Sequence, residues 1–323
     1  MKKIRWGVWL RSALLICTTL YALVLVGDFG YSCWVSQKIA AWESQQKYNA
    51  QNVRVGCEAY HRGAGEDAVL LVHGFNDCPR LWDSYVEELV KQGYHCRAMR
   101  LPGFAMPNEE YAKATLEEWV EAVREEAQAL RESHGRVHLV AHSLGSAISL
   151  DCELQHPGTF DSMNLMAPLI AVSNARSPVL TTRQWQVVGR SLLIFTQSTY
   201  NPFPPDIKDP NAGDYPWRVP GTPRSVIAQT LQVSDKVRPL AGELKLPIMI
   251  VASEQDLVVD YDEARTFYDQ VKSKKLWMAA NESGHLIPID QQRSEIVQAM
   301  VAFWKQAVVE SEAAPETTLK SEP

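Results

Sequence analysis

Hydrophobic and polar positions along the chain fall into three regimes. The first is an apolar run, Ala13 to Val26, set in "MKKIRWGVWLRSALLICTTLYALVLVGDFGYSCW" and closed by Asp28. A membrane span needs ~20 residues, so the run alone is nearer a signal-peptide core. Adding Trp6 to Leu10, with Arg11 reaching back to the membrane surface, makes it long enough to cross. The second regime starts near Asn52, where short apolar runs alternate with segments of helical spacing. That rhythm predicts a mostly parallel sheet covered on both faces. "VRVGCEAYHR", "DAVLLVHGF", "YHCRAMRLPGF", "RVHLVAH", "FDSMNLMAP", "LPIMIVASEQD" and "KKLWMAA" read as strands. "PRLWDSYVEELVKQG", "TLEEWVEAVREEAQALRES", "YDEARTFYDQV" and "RSEIVQAMVAFWKQAV" read as helices, the second opened by a Thr115/Glu118 capping box.

The third regime breaks this rhythm. Between Pro168 and about Pro239 the chain is crowded with prolines and aromatics, and only "TTRQWQVVGRSLLIFTQS" reads as a helix. The tail from Glu310 is acidic and polar, which predicts disorder. The expected organisation is an N-terminal signal anchor at 1–30 and one α/β domain from 52–167 and 240–309. An inserted cap at 168–239 interrupts that domain, and a disordered tail at 310–323 follows it.

Composition changes little in this picture. The net charge of −6, with no Lys/Arg stripe interleaved with aromatics, gives no basis for nucleic-acid binding. Charge matters at the N-terminus, where Lys2, Lys3, Arg5 and Arg11 precede the apolar run. That flank predicts an N-terminus inside and the remainder outside the cytoplasmic membrane, on the periplasmic side if the membrane is a bacterial inner one. No small-x-small cleavage site follows directly, so an uncleaved anchor is expected, with secretion after cleavage or lipidation at Cys33 as alternatives. The six cysteines form no CxxC pair and no Cys/His cluster of zinc spacing, so neither metal nor organic cofactor is implied. Cys57 and Cys96 both fall on predicted strands and are the pair an exported domain would join; buried free thiols are the default.

Chemistry concentrates at "LVAHSLGSA", where an apolar strand runs through Ser143 into a small-residue helix. A serine hydroxyl needs a base before it can act as a nucleophile. A sharp turn would push Ser143 out of the sheet towards one, and its crowded backbone requires small neighbours, here Ala141 and Gly145. "GRSLL" at Gly189 is a partial match lacking the second glycine. Asp256 stands just past one strand and His285 in the loop after the next, in the order Ser…Asp…His that such a turn requires. The expected roles are Ser143 nucleophile, His285 base and Asp256 orienting acid. Glu254, Asp260 and Asp262 are competing acids, the last two with the look of a helix cap and first turn. His142 is expected to pack and His73 to shape its turn. The oxyanion donors are expected at the backbone N–H groups of Leu144 and Phe75.

These stretches, from about Val53 to Val308, resemble the α/β-hydrolase superfamily, in its carboxylesterase and monoacylglycerol-lipase-like branch, also called serine aminopeptidase-like. Two departures are Ala141 in place of a usual glycine and "LPGF" in place of Pro-Gly-His-Gly. The resemblance implies an α/β-hydrolase fold with an inserted cap, and ester hydrolysis through an acyl-enzyme. Small-molecule or lipid esters are the expected partners, together with the membrane through the N-terminal helix. Peptidase, thioesterase or acyltransferase activity on the same three residues is the alternative, and a catalytically inactive binding protein is a third. An epoxide hydrolase or dehalogenase would need Asp at position 143.

Overall fold

The computed structural model describes residues 6–177, 179–201, 203–212 and 215–313. Lys2, Lys3 and Arg5 lie outside the described residues, as does the tail beyond Ala313. The chain opens with a 38-residue helix, α1 (Trp6–Glu43). β1 (Tyr60–Arg62), β2 (Ala68–Val72), α2 (Asp83–Lys91), β3 (His95–Met99) and α3 (Asn108–Tyr111) follow. Next come α4 (Leu116–Arg131), β4 (Val137–His142), α5 (Leu144–Gln155) and β5 (Ser162–Met166). The inserted stretch carries α6 (Thr182–Leu192), β6 (Ser198–Tyr200), β7 (Gly221–Pro223) and α7 (Arg224–Val237). The chain then completes the sheet with β8 (Ile248–Ala252), α8 (Tyr261–Gln270) and β9 (Lys275–Ala279), and ends in α9 (Arg293–Ala313).

Seven strands form one sheet in the order β1-β3-β2-β4-β5-β8-β9, antiparallel only at β1. Every residue of β2, β4, β5 and β8 is buried, which explains why these strands read as unbroken apolar runs rather than alternating ones. Helices cover both faces; α4, α5 and α7 pack together, as do α2 and α9. Thr115 and Glu118 make the reciprocal capping box that opens α4.

Four expectations need correction. The early strand shrinks to Tyr60–Arg62, because residues 53–58 turn instead: Arg54 N–H donates to Ala105 O at 2.8 Å, Cys57 N–H to Arg54 O at 2.9 Å, and Gly56 takes φ +89°. Cys57 therefore lies off the sheet, packed with Cys78 and Ala105, while Cys96 sits in the main core, so the Cys57/Cys96 alternative does not arise and both are buried free thiols. Within the stretch expected to be cap, residues 224–237 form a helix whose Val226, Leu231, Val233 and Val237 are buried on the body beside α5. Finally α9 continues to Ala313, past the expected end at residue 309.

The N-terminal helix also outruns residue 30. Beyond Asp28 it stops being wholly exposed, and Val35 and Ile39 are buried against the body. Asp28 itself is 3 % exposed, and its carboxylate accepts from the N–H groups of Ile194, Phe195 and Thr196 at 2.6, 2.8 and 3.2 Å and from the Thr196 hydroxyl at 2.6 Å. Phe29 meets Phe195 edge-on and Trp34 meets Tyr200, so the lower helix is bolted to the inserted stretch.

Burial of histidine makes the fold acid-sensitive. His138 stacks on Trp304 with centroids 4.4 Å apart and lies 2.8 Å from the Ser162 hydroxyl; burial holds its pKa down to about 4. His73 is depressed to about 4 by the same cause. An unfolded histidine titrates near ~6.5. Above that pH both states are neutral and nothing changes; as pH falls towards 4 only the unfolded chain takes up the proton, so stability is lost. The loss should reach roughly 2–3 kcal/mol per histidine. Thermal melts between pH 7.5 and 4.5 should therefore fall steadily below pH 6.5, and His138→Phe should flatten that slope. An unchanged slope in the variant would remove His138 as a contributor.

Candidate active site

β4 ends at His142 and α5 starts at Leu144, leaving Ser143 to make the whole turn at φ 52°, ψ −119°. A side chain in such backbone costs on the order of 1–3 kcal/mol, so the surroundings must enforce it. Ser143 N–H donates to Met166 O at 2.9 Å, and its carbonyl accepts from Ser146 and Leu169 N–H at 3.0 and 3.2 Å. Gly145 allows the start of α5 to press on β2: a Cβ there would stand 2.4 Å from His73 O and 2.6 Å from Val72 O. Ala141 is fully buried in β4, so a methyl group fits where the resemblance expects glycine.

The structure brings together the three residues that the sequence singles out. Ser143 Oγ lies 3.0 Å from His285 Nε2, and His285 Nδ1 lies 2.8 Å from Asp256 Oδ2. Asp256 Oδ1 accepts from Val258 and Val259 N–H at 2.7 and 2.9 Å, which fixes the carboxylate. Ser143, Asp256 and His285 are 3, 8 and 2 % exposed, so water is nearly shut out. An imidazole held this way can take a proton from the hydroxyl on one nitrogen while its other N–H stays with the carboxylate.

Phe75 lies in the loop after β2, and Leu144 directly follows Ser143. Leu144 is the first residue of α5, so its N–H belongs to the unsatisfied donors of a helix start, where the helix dipole favours negative charge. Phe75 follows Gly74, where a Cβ would stand 3.1 Å from Ser143 Cβ. His73 sets that loop, with Nδ1–H donating to Gly74 O at 3.0 Å and Nε2 accepting from Leu101 N–H at 3.2 Å. His142 is buried behind His285, donating from Nε2 to His285 O at 2.9 Å; burial and the neighbouring His285 hold its pKa well below the usual value, so it stays neutral. Glu254 is exposed, Asp260 caps α8 by accepting from Glu263 N–H at 3.1 Å, and Asp262 lies in the first turn of that helix. Among the described residues no group of three or more His, Cys, Asp or Glu side chains is arranged to hold a metal ion.

Sequence reasoning missed a residue that ties the site together. Asp206, from the proline-rich stretch, is buried, and its Oδ2 accepts from Leu257 N–H at 2.9 Å and His285 N–H at 3.1 Å. One carboxylate thus joins the loop of Asp256 to the loop of His285. Gly284 makes this possible, since a Cβ there would stand 2.6 Å from Asp206 O. Asp290 completes the joint, accepting from Lys208, Asp209 and Gly284 N–H at 2.8, 2.7 and 2.8 Å. The only signal in sequence was an aspartate in "PFPPDIKDP" with no helix to cap. Trp217, an aromatic of the same stretch, packs over Arg54 and Arg80 against Cys57 and Cys78, while Trp185 on α6 is half exposed.

Residues 64–292 match the family described as serine aminopeptidase, S33. A thermostable monoacylglycerol lipase of Bacillus sp. (strain H-257) is 22 % identical over 250 residues, covering 77 % of this chain and 94 % of the relative. A carboxylesterase of Bacillus subtilis (strain 168) is 25 % identical over 247 residues, covering 74 % and 92 %. Among solved structures, the monoacylglycerol lipase of Paleococcus ferrophilus superposes with a TM-score of 0.65 at 18 % identity, covering 77 % of this chain and 98 % of that one. A structure of the metagenome-derived lipolytic enzymes LipS and LipT gives a TM-score of 0.70 at 21 % identity, covering 79 % and 99 %.

The Asp206 joint predicts a kinetic signature. In Asp206→Ala the His285 loop loses an anchor at its backbone, so kcat should fall about 10- to 100-fold while KM changes little. Asp206→Asn keeps one acceptor oxygen and should fall between the two. Steady-state kinetics on a soluble ester checks this, and an unchanged kcat in the alanine variant would overturn it.

Proposed function

We propose that this chain, which belongs to the serine aminopeptidase S33 family, hydrolyses carboxylic esters through a covalent acyl-enzyme on Ser143. One observation carries the mechanism: the two hydrogen bonds that run from Ser143 Oγ through His285 to Asp256, behind a strained strand-to-helix turn. Ser143 Oγ attacks the ester carbonyl carbon as His285 Nε2 takes its proton. Asp256 keeps Nδ1–H in place and stabilises the imidazolium that forms. The oxyanion accepts from the N–H groups of Leu144 and Phe75. His285 then gives the proton to the departing alkoxide, and water repeats the sequence to release the acid.

The substrates are short- to medium-chain acyl esters or monoacylglycerol-like lipids, a reading supported by relatives named as a monoacylglycerol lipase and a carboxylesterase. The setting supports lipid. The exposed part of α1 is long and apolar enough to cross a membrane. Ile194 and Phe195, held at Asp28, leave apolar surface exposed next to α1, and Trp185 and Leu192 on α6 are exposed as well. A cap at the bilayer surface would receive monoacyl lipids without passing them through water. The basic flank orients the anchor with the catalytic domain outside the cytoplasm.

Ser143→Ala should lower kcat/KM on p-nitrophenyl esters by about 10³-fold or more, abolish labelling by a fluorophosphonate probe and leave thermal stability nearly unchanged. In the wild type, efficiency should rise with acyl length until the site is full, by up to about 4-fold per methylene. Preference for aminoacyl amides over every ester would replace the esterase reading with a peptidase.

Topology is tested separately. Protease added to cells with a permeabilised outer barrier and an intact cytoplasmic membrane should digest the catalytic domain. Full protection would place that domain in the cytoplasm.

A further inference from the structure

Two thiols outside the site lie side by side. Cys57 and Cys78 are fully buried in a small cluster of their own with Ala105, covered by Trp217. Both thiols share this cluster, and the buried Arg54 guanidinium donates to the Cys57 sulfur from Nε and Nη2 at 3.3 and 3.1 Å. Arg54 is held between the Trp42 and Trp217 rings and also donates to Trp217 O. The neighbouring Cys78 and Arg54 draw the Cys57 thiol below its usual range, while burial and the neighbouring Cys57 push Cys78 up. Cys96 and Cys152 differ: each packs into the main core, where burial raises it to about 12. Cys78 ends the loop that carries Phe75, and Cys57 lies in the segment between α1 and β1.

We propose that Cys57 and Cys78 are a redox pair that closes to a disulfide, stapling the segment after α1 to the loop beside Ser143. The oxidant is another disulfide, small or protein-borne. The Cys57 thiolate attacks one of its sulfurs, and the other leaves as a thiolate that takes up a proton. Cys78 gives its proton to solvent and attacks the Cys57 sulfur of the mixed disulfide, expelling the second oxidant thiolate. Two cysteine thiols become one disulfide, and one oxidant disulfide becomes two thiols. The exchange occurs with the segment open, because both sulfurs are covered once it docks. Arg54 stays close to Cys57 at that stage because it lies only three residues before it in the chain. Since Arg54 stabilises the reduced form, the bridge is more easily reduced than an ordinary structural disulfide. Catalysis by Ser143 is not assumed, and export matters only in supplying an oxidising compartment.

The test equilibrates the detergent-purified full-length chain with glutathione buffers of graded oxidation, quenches in acid, and labels with N-ethylmaleimide in denaturant. In oxidised buffer Cys57 and Cys78 should appear by mass spectrometry as one cross-linked pair, resistant to label until dithiothreitol is added. Cys96 and Cys152 should label throughout. Both thiols labelling at every ratio, or a cross-link to Cys96 or Cys152, overturns the proposal. A second measurement separates stapling from packing. Cys78→Ser should melt about 5–10 °C below wild type in oxidised buffer and close to it in reduced buffer. An equal loss in both buffers would mean packing only.

Discussion

A serine at φ 52° is unfavourable backbone, and it persists here because the chain leaves it no alternative. β4 delivers it from the buried centre of the sheet, Met166 and Leu169 hold its peptide groups, and Gly145 lets α5 start within touching distance of β2. Everything else in the site is arranged around that fixed hydroxyl. His285 must come from beyond β9 and Asp256 from beyond β8, so the order of strands at one edge of the sheet decides that they meet Ser143 at all. A strained turn with two glycine-dependent approaches, at Gly145 and Gly284, tolerates little drift in either direction.

The parts of this plan visible in sequence are those that rest on short-range rules. Unbroken apolar runs mark β2, β4, β5 and β8 because burial on both faces removes the polar alternation. Ser143, Asp256 and His285 stand out because each follows a strand in a required order. The hidden parts depend on partners far along the chain. The helix at 224–237 carries mixed polarity and is defined by what it packs on, and the turn at 53–58 is drawn out of strand geometry by Ala105 O and Gly56. Asp206 acts through 79 positions of separation from His285, and Cys57 finds Cys78 rather than the strand residue Cys96 because that turn removes it from the sheet.

Buried carboxylates serve as joints in this molecule. Asp28 ties the helix to residues 194–196, Asp206 ties the Asp256 and His285 loops, and Asp290 ties the His285 loop to residues 208–209. In each case several backbone N–H groups converge on one side chain, which satisfies buried donors that no regular element could reach. An inserted stretch poor in regular structure is thereby given definite attachments at both ends of the domain, to the N-terminal helix and to the active-site loops.

α1 passes from its exposed apolar length into its docked length without a break. The 16 residues from Asp28 to Glu43 act as a stiff riser of about 24 Å, at ~1.5 Å per residue. The body is therefore not a buoy on a slack line. Its heading about the helix axis relative to the exposed apolar length is set by helical phase. Adding one residue just before Asp28 would swing the body by ~100° relative to the exposed length, while adding a whole turn there would nearly restore its bearing.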